Sequence, residues 1–304
     1  MNVGYGYTYQ DQVVRDLLWA VRSPQLLRPA RQAFKALLSP AELADWYGRL
    51  ATVLKEKGMN GSGGDWPDSG SFRRLGHYFE ALVAAAIRWT PGMELIAQNL
   101  SLHAKDRTLG ELDFLVRRKE TGRLEHWESA VKFYLLHGNG ARTDAWIGPN
   151  PKDRLDLKMH KLAGHQLVIT QRQAVKNLLD EWPTEVRLLF KGYLFYPLAV
   201  RRPLLPGSVN ADHLHGWWCY AGERETLLQK QTDRWKVLPR MQWLSRAVSA
   251  SAGHLMSNTQ FLERLEATEK GGRPVLVARL RQREDRWLET DRGFVVPADW
   301  PGMS

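Results

Sequence analysis

Residues 110–135, GELDFLVRRKETGRLEHWESAVKFYL, alternate apolar and polar side chains on both sides of a short turn at Lys119, Glu120, Thr121 and Gly122. Strand side chains switch faces with a period of two, so this stretch is expected to form a β-hairpin. Leu112, Phe114 and Val116 alternate with Glu111, Asp113 and Leu115 in the first strand. Trp127, Ser129, Val131 and Phe133 alternate with His126, Glu128, Ala130 and Lys132 in the second. Asp113 therefore stands in the middle of an apolar strand, and Glu128 and Lys132 share one face of its neighbour. A carboxylate on each strand beside an amine suits a hard cation. Magnesium takes oxygen ligands, keeps several waters and uses one or two protein carboxylates plus substrate phosphate. The lysine would orient water or offset charge developing on a phosphate. Taken alone, the hairpin favours a simpler reading, a solvated polar face.

The flanking segments continue as α-β-β-β-α-β, a three-layer α/β (α+β) pattern with a mixed sheet. RRLGHYFEALVAAAIRW (73–89) sets Leu75, Phe79, Leu82, Val83 and Ala86 at helical spacing, with Glu80 at the edge of the stripe. MELIAQNLSLH reads as a strand, and GPNPKDRLDLKMHKLAGHQLVITQ as a loop entering a helix near Asp153. EVRLLFKGYLFYPL (185–198) reads as a further strand. On that second helix Leu155, Met159 and Leu162 form a stripe whose next member is Gln166. A glutamine there needs hydrogen-bond partners, either as a satisfied core amide or as a site residue.

Residues 9–57 read as helical, with Ser39 as a cap and Pro40 at the first helical position. GMNGSGGDWPDSGS (58–71) is loop chemistry and lacks the Gly-Lys-Ser/Thr of a phosphate loop. Beyond Pro203, HLHGWWCYAG and RPVLVARL read as strands, and RMQWLSRAVSA and NTQFLERLEATE as helices. The expected division is an N-terminal helical region (1–58), a core (72–198) and an α+β extension (199–304).

Composition narrows the function classes. The 304-residue chain carries 43 Lys and Arg against 33 acids, net charge +10. Such a field favours polyanions, nucleic acid above anionic membrane. The 13 Trp residues offer stacking surfaces for unpaired bases, although core packing explains most of them equally well. A single cysteine, Cys219, excludes an intrachain disulfide and a thiolate-rich zinc cluster. No apolar run reaches bilayer length and MNVGYGYTYQDQ lacks a secretory apolar core, so a cytoplasmic location is expected.

Other constellations compete. His213, His215 and Cys219 share a strand face and suit zinc, but no fourth ligand beyond His254 suggests itself, and a structural strand is favoured. Arg201, Arg202 and RLRQRED (279–285) read as solvated faces before phosphate contacts. Ser129 and Cys219 have no elbow or histidine partner for nucleophilic catalysis. Asp153 and Asp156 read as helix N-terminal caps and charges.

The element order, with FE on the first helix, GELDF, EHWESAVK and GHQL, resembles the PD-(D/E)xK nuclease superfamily over residues 72–198. HWESAVKFYL, WIGPNPKDRLDLK and HGWW look like an uncharacterised bacterial family, a domain of unknown function usually placed in that superfamily. The resemblance implies a restriction-endonuclease-like αβββαβ core and Mg²⁺ (or Mn²⁺) as cofactor. Asp113, Glu128 and Glu80 would be metal carboxylates, Lys132 the motif lysine and Gln166 the polar residue of the second helix. The pattern's second carboxylate normally sits two before the lysine, where this chain has Ala130. Glu128 lies on the same face, displaced by roughly 6–7 Å along the strand, so a carboxylate moved from 128 to 130 is expected to restore function to a Glu128→Ala variant. The leading expectation is a Mg²⁺-dependent nuclease hydrolysing phosphodiester bonds, with DNA favoured over RNA by resemblance. Its rivals are a catalytically inactive nucleic-acid-binding scaffold, which Ala130 supports, and a protein-interaction module.

Overall fold

The computed structural model describes residues 11–29, 34–58, 66–104, 107–171, 181–200, 203–269 and 272–302. Helices α1 (Gln12–Arg22), α2 (Pro40–Glu56) and α3 (Leu75–Trp89) precede strands β1 (Met93–Ala104), β2 (Arg107–Arg118) and β3 (Leu124–Leu136). Then follow β4 (Trp146–Ile147), α4 (Leu155–Lys161), β5 (Glu185–Pro197), β6 (Leu214–Tyr220), β7 (Arg234–Leu238), β8 (Val248–Ser249), α5 (Asn258–Glu269), β9 (Val275–Arg283) and β10 (Arg286–Val296). One ten-stranded mixed sheet runs β1-β2-β3-β5-β6-β10-β9-β7, with β4 beside β3 and β8 beside β10. The β1–β2–β3 meander is antiparallel, whereas β3–β5, β5–β6 and β6–β10 pair in parallel. Parallel neighbours need a crossover, and α4 lies in the connection from β3 to β5.

The alternation read from the hairpin sorts its side chains onto two cores. Phe114, Val116, Trp127, Phe133 and Leu135 pack with α1, α2 and α3, including Phe79, Leu82 and Val83. Ala130, Tyr134 and Leu136 face the other way, with Leu155, Leu162, Leu188 and Phe190. Strand β5 is covered on both faces, which is why EVRLLFKGYLFYP reads as a nearly unbroken apolar run. Gly192 has φ +142°, and a Cβ there would lie 1.7 Å from the carbonyl oxygen of its partner Lys132. Only glycine lets β5 approach β3 so closely at this point.

The Ser39 cap is present as a full capping box: its hydroxyl accepts from the Glu42 N–H and its own N–H donates to Glu42. Two expectations are corrected. Between α1 and α2 the chain is not helical where it is described. Pro24 and Pro29 interrupt it, and its backbone bonds β5 instead, from Leu26 N–H to the Phe190 carbonyl and from Leu188 N–H to that of Ala36. RMQWLSRAVSA forms a single 3₁₀ turn and the short strand β8. The carbonyls a helix would need there are taken by the buried Arg292 guanidinium, which donates to Trp243 and Ser245, while Asp16 accepts the Ser245 N–H. The helix expected near Asp153 starts at Leu155 with Arg154 as its cap, and a π turn, Leu162–Gln166, continues it. Residues 59–65 of the expected linker and Arg201–Arg202 lie outside the described residues. Among the described residues no helix is long and apolar enough to cross a membrane.

Candidate active site

The β2–β3 ladder runs from Arg117↔Leu124 to Phe114↔Trp127. One step further, where Asp113 would meet Glu128, side-chain chemistry replaces the ladder: Asp113 Oδ2 accepts the Ser129 backbone N–H at 2.8 Å. The strands part at their polar residues, leaving carboxylates from two adjacent strands at the opening. Glu128 is fully buried. Its Oε1 accepts from His126 Nε2 at 2.9 Å and its Oε2 from Gln166 Nε2 at 2.6 Å, while Gln166 Oε1 accepts from Lys158 Nζ at 2.9 Å. The π turn shapes this contact. Its wider backbone ring, closed by Leu167 N–H to the Leu162 carbonyl at 3.0 Å, sets the position from which Gln166 reaches the site.

The electrostatics are unusual for a structural hairpin. Burial, then the Glu128 charge, pushes the Asp113 carboxyl up to about 7. Burial pushes Glu128 to about 7 against the pull of Lys158. On α3, half-buried Glu80 is raised to about 7 by burial, then by Asp113, with Glu111 and Glu128 adding to the repulsion. The buried His126 ring is lowered to about 4 by desolvation and is neutral at pH 7. Its Nε2–H therefore donates to Glu128, and its Nδ1 has no partner among the described residues.

Asp113, Glu128 and Gln166 thus meet at the opening, and Glu80 is near enough to feel their charge. Lys132 does not join them: its Nζ donates to Asp153 Oδ2 at 2.6 Å. Asp153 is accordingly the partner of Lys132 and not the helix cap expected of it, while Asp156 pairs with Arg154. The sequence reading passed over His126 and Lys158. His126 was signalled by its place two residues before Glu128 on the same strand face. Lys158 carried no such mark, because a lysine on a helix flank is ordinarily solvated.

Among the described residues no three His, Cys, Asp or Glu side chains stand in metal-binding geometry. The donor chemistry nevertheless fits a hard divalent cation: oxygen donors only, on two strands and a helix, with a mutual repulsion that added positive charge relieves. The zinc alternative does not fit. His213 is engaged on both ring nitrogens, by Tyr196 Oη and the Asn210 carbonyl, each at 2.5 Å, and the Cys219 thiol is raised to about 12 by burial in the α5 core. Of the stretch expected to be a solvated face, Arg279 is buried over the Trp235 ring and Arg281 is paired with Asp233.

No curated protein and no solved structure matches the chain. One family model, described as Domain of unknown function (DUF1853), matches residues 15–296, nearly the whole chain including every element from β1 to β10, and the protein belongs to that family.

Proposed function

We propose that this protein is a divalent-metal-dependent nuclease of the cytoplasm, with a restriction-endonuclease-like core running from α3 to β5 and nucleic acid, DNA in preference, as substrate. The observation that carries this reading is the placement of Asp113 and Glu128, each raised to about 7, where β2 and β3 part, with Glu80 of α3 within range of their charges. Structural carboxylates are ordinarily paired with cations and held low, and strongly perturbed groups in a cluster mark functional sites. Asp113 and Glu128 would hold Mg²⁺ or Mn²⁺, with Glu80 assisting; bound there, the ion supplies charge to polarise a phosphate and activate water. The chain's own contribution is positioning. The Ser129 N–H fixes Asp113, and His126 and Gln166 fix both oxygens of Glu128. The net charge of +10 draws a polyanion to the protein.

Asp113→Asn tests this reading. It should lose Mn²⁺ binding by calorimetry and reduce plasmid nicking by at least about 10²-fold, the scale of a lost charge-stabilising contact. Wild-type protein that neither binds Mn²⁺ nor nicks DNA would exclude the nuclease reading. One observation favours an inactive nucleic-acid-binding scaffold: both Glu128 oxygens are already hydrogen-bonded, and Ala130 supplies no replacement. A scaffold would show DNA binding that weakens steeply with salt, from counterion release, but no Mn²⁺ dependence.

A further inference from the structure

Two lysines stand near the opening between β2 and β3, and they differ in what holds them. Lys132, on β3, is bound to the carboxylate of Asp153, whose other oxygen accepts from Tyr134 Oη at 3.4 Å. Its charge is cancelled by a residue of the loop entering α4. Lys158, on α4, is half-buried and donates to the side-chain oxygen of Gln166, a neutral group. A hydrogen bond to an amide satisfies the ammonium without cancelling its charge. The other end of that amide donates to Glu128 Oε2, so the full charge of Lys158 stands one side chain away from Glu128. The field of Lys158 lowers both the Asp113 and Glu128 carboxyls, with Lys161 adding to the effect on Glu128, and Lys132 repels Lys158.

We propose that Lys158, carried on α4, is the cation of this site that meets the phosphate, with Gln166 positioning it against Glu128, and that Lys132 instead anchors the loop entering α4. This assignment rests on the nuclease reading above. In the hydrolysis a water oxygen bonds to phosphorus. That water gives up a proton to solvent, the bond to the leaving oxygen breaks with its electron pair, and the leaving oxygen takes up a proton from solvent. Lys158 offsets the negative charge that builds on the non-bridging oxygens between these events. The strand lysine does not reach the carboxylates, because its ammonium is held by Asp153.

Mn²⁺ calorimetry and plasmid nicking on the full chain separate the two lysines. Lys158→Met removes positive charge beside the carboxylates, so Mn²⁺ should bind about three- to tenfold tighter, while nicking falls at least about 10²-fold. Lys158→Arg should keep wild-type Mn²⁺ affinity and part of the nicking. Lys132→Met combined with Asp153→Asn, which removes both charges of the pair and leaves the net charge unchanged, should keep both readouts within about threefold. If that double variant tightens Mn²⁺ and abolishes nicking while Lys158→Met behaves as wild type, the assignment is reversed. If wild type binds Mn²⁺ and nicks DNA but Lys158→Met is unchanged in both, the Lys158 proposal alone fails. If wild type does neither, the nuclease reading fails and takes this one with it. Should Lys158→Met be poorly folded, Lys158→Gln decides by the same two readouts.

Discussion

Glu128 has no exposed surface, yet its carboxyl is held near neutral pH and not far above it, because Lys158 opposes the desolvation. Asp113 and Glu80 are raised for the same physical reason, burial among like charges. These shifts set a sign for the pH dependence of stability. A carboxyl whose folded value lies above its unfolded value binds protons more tightly when folded. Stability is then lost as pH rises from the unfolded value near 4 towards 7 and is flat beyond. His126, lowered to about 4, works in the opposite direction over pH 4 to 6.5, but one imidazole opposes three carboxyls. Asp113→Asn should therefore melt at a higher temperature than wild type at pH 8 and close to it at pH 5, since an amide still accepts the Ser129 N–H without carrying charge. Calorimetric melting at both pH values checks this. A variant that melts lower at pH 8 would make Asp113 a structural carboxylate.

Among the elements, those with an unambiguous period were legible. The hairpin, α3 and β5 fall where alternation or helical spacing put them, and Ser39 caps α2 as its chemistry suggests. Asp113, Glu128 and Gln166 were legible because each breaks an apolar pattern. What was not legible has a common cause, a backbone satisfied by distant groups: no local signal reveals that Arg292 and Asp16 take the hydrogen bonds of residues 243–245, or that Leu26, Ala36 and Leu38 bond β5. Nor does strand alternation say what a face touches. Ala130 shares the face of Glu128, but it is packed with Leu155, Leu162 and Phe190, so a carboxylate there would enter an apolar cluster. The transfer of function from 128 to 130 that the alternation suggests is therefore not expected. Ala130→Glu should cost several kcal/mol, about 2–5, and Glu128→Ala with Ala130→Glu should bind no Mn²⁺. Gly192→Ala, which puts a methyl group into the Lys132 carbonyl, should cost roughly 3–5 kcal/mol in urea unfolding. A cost below about 1 kcal/mol would mean that β3 and β5 separate easily there.

At the scale of the molecule, the segment that resembles a nuclease core does not end where its resemblance ends. Strand β5 pairs with β6 over Tyr193–Pro197, and β6 passes the sheet on to β10. Trp218 Nε1 donates to the Leu136 carbonyl at 2.9 Å and Tyr193 Oη to the Leu244 carbonyl at 3.0 Å, so the C-terminal third packs onto the face of the central strands that also carries Phe133 and Phe195. The N-terminal helix α1 packs into the same core, with Trp19 stacked on Tyr193. Lys191, fully buried on β5, donates to the carbonyls of Val21 and Ser23 at the end of α1, where the helix dipole also favours a cation. Residues 72–198 alone would leave that ammonium without its acceptors and β5 with an unpaired edge. The fragment would also expose Leu189, Tyr193 and Phe195, which α1 and the C-terminal third bury, and lost burial on that scale is a large part of the roughly 5–15 kcal/mol that holds a domain together. The fragment 72–198 should therefore show no cooperative urea transition and little near-ultraviolet dichroism. The full chain should unfold in one transition that carries β3, β5 and β10 together, visible as a common protection from hydrogen exchange. A fragment that unfolds cooperatively with native-like aromatic dichroism would show that the core supports itself, and that the flanking regions only cover it.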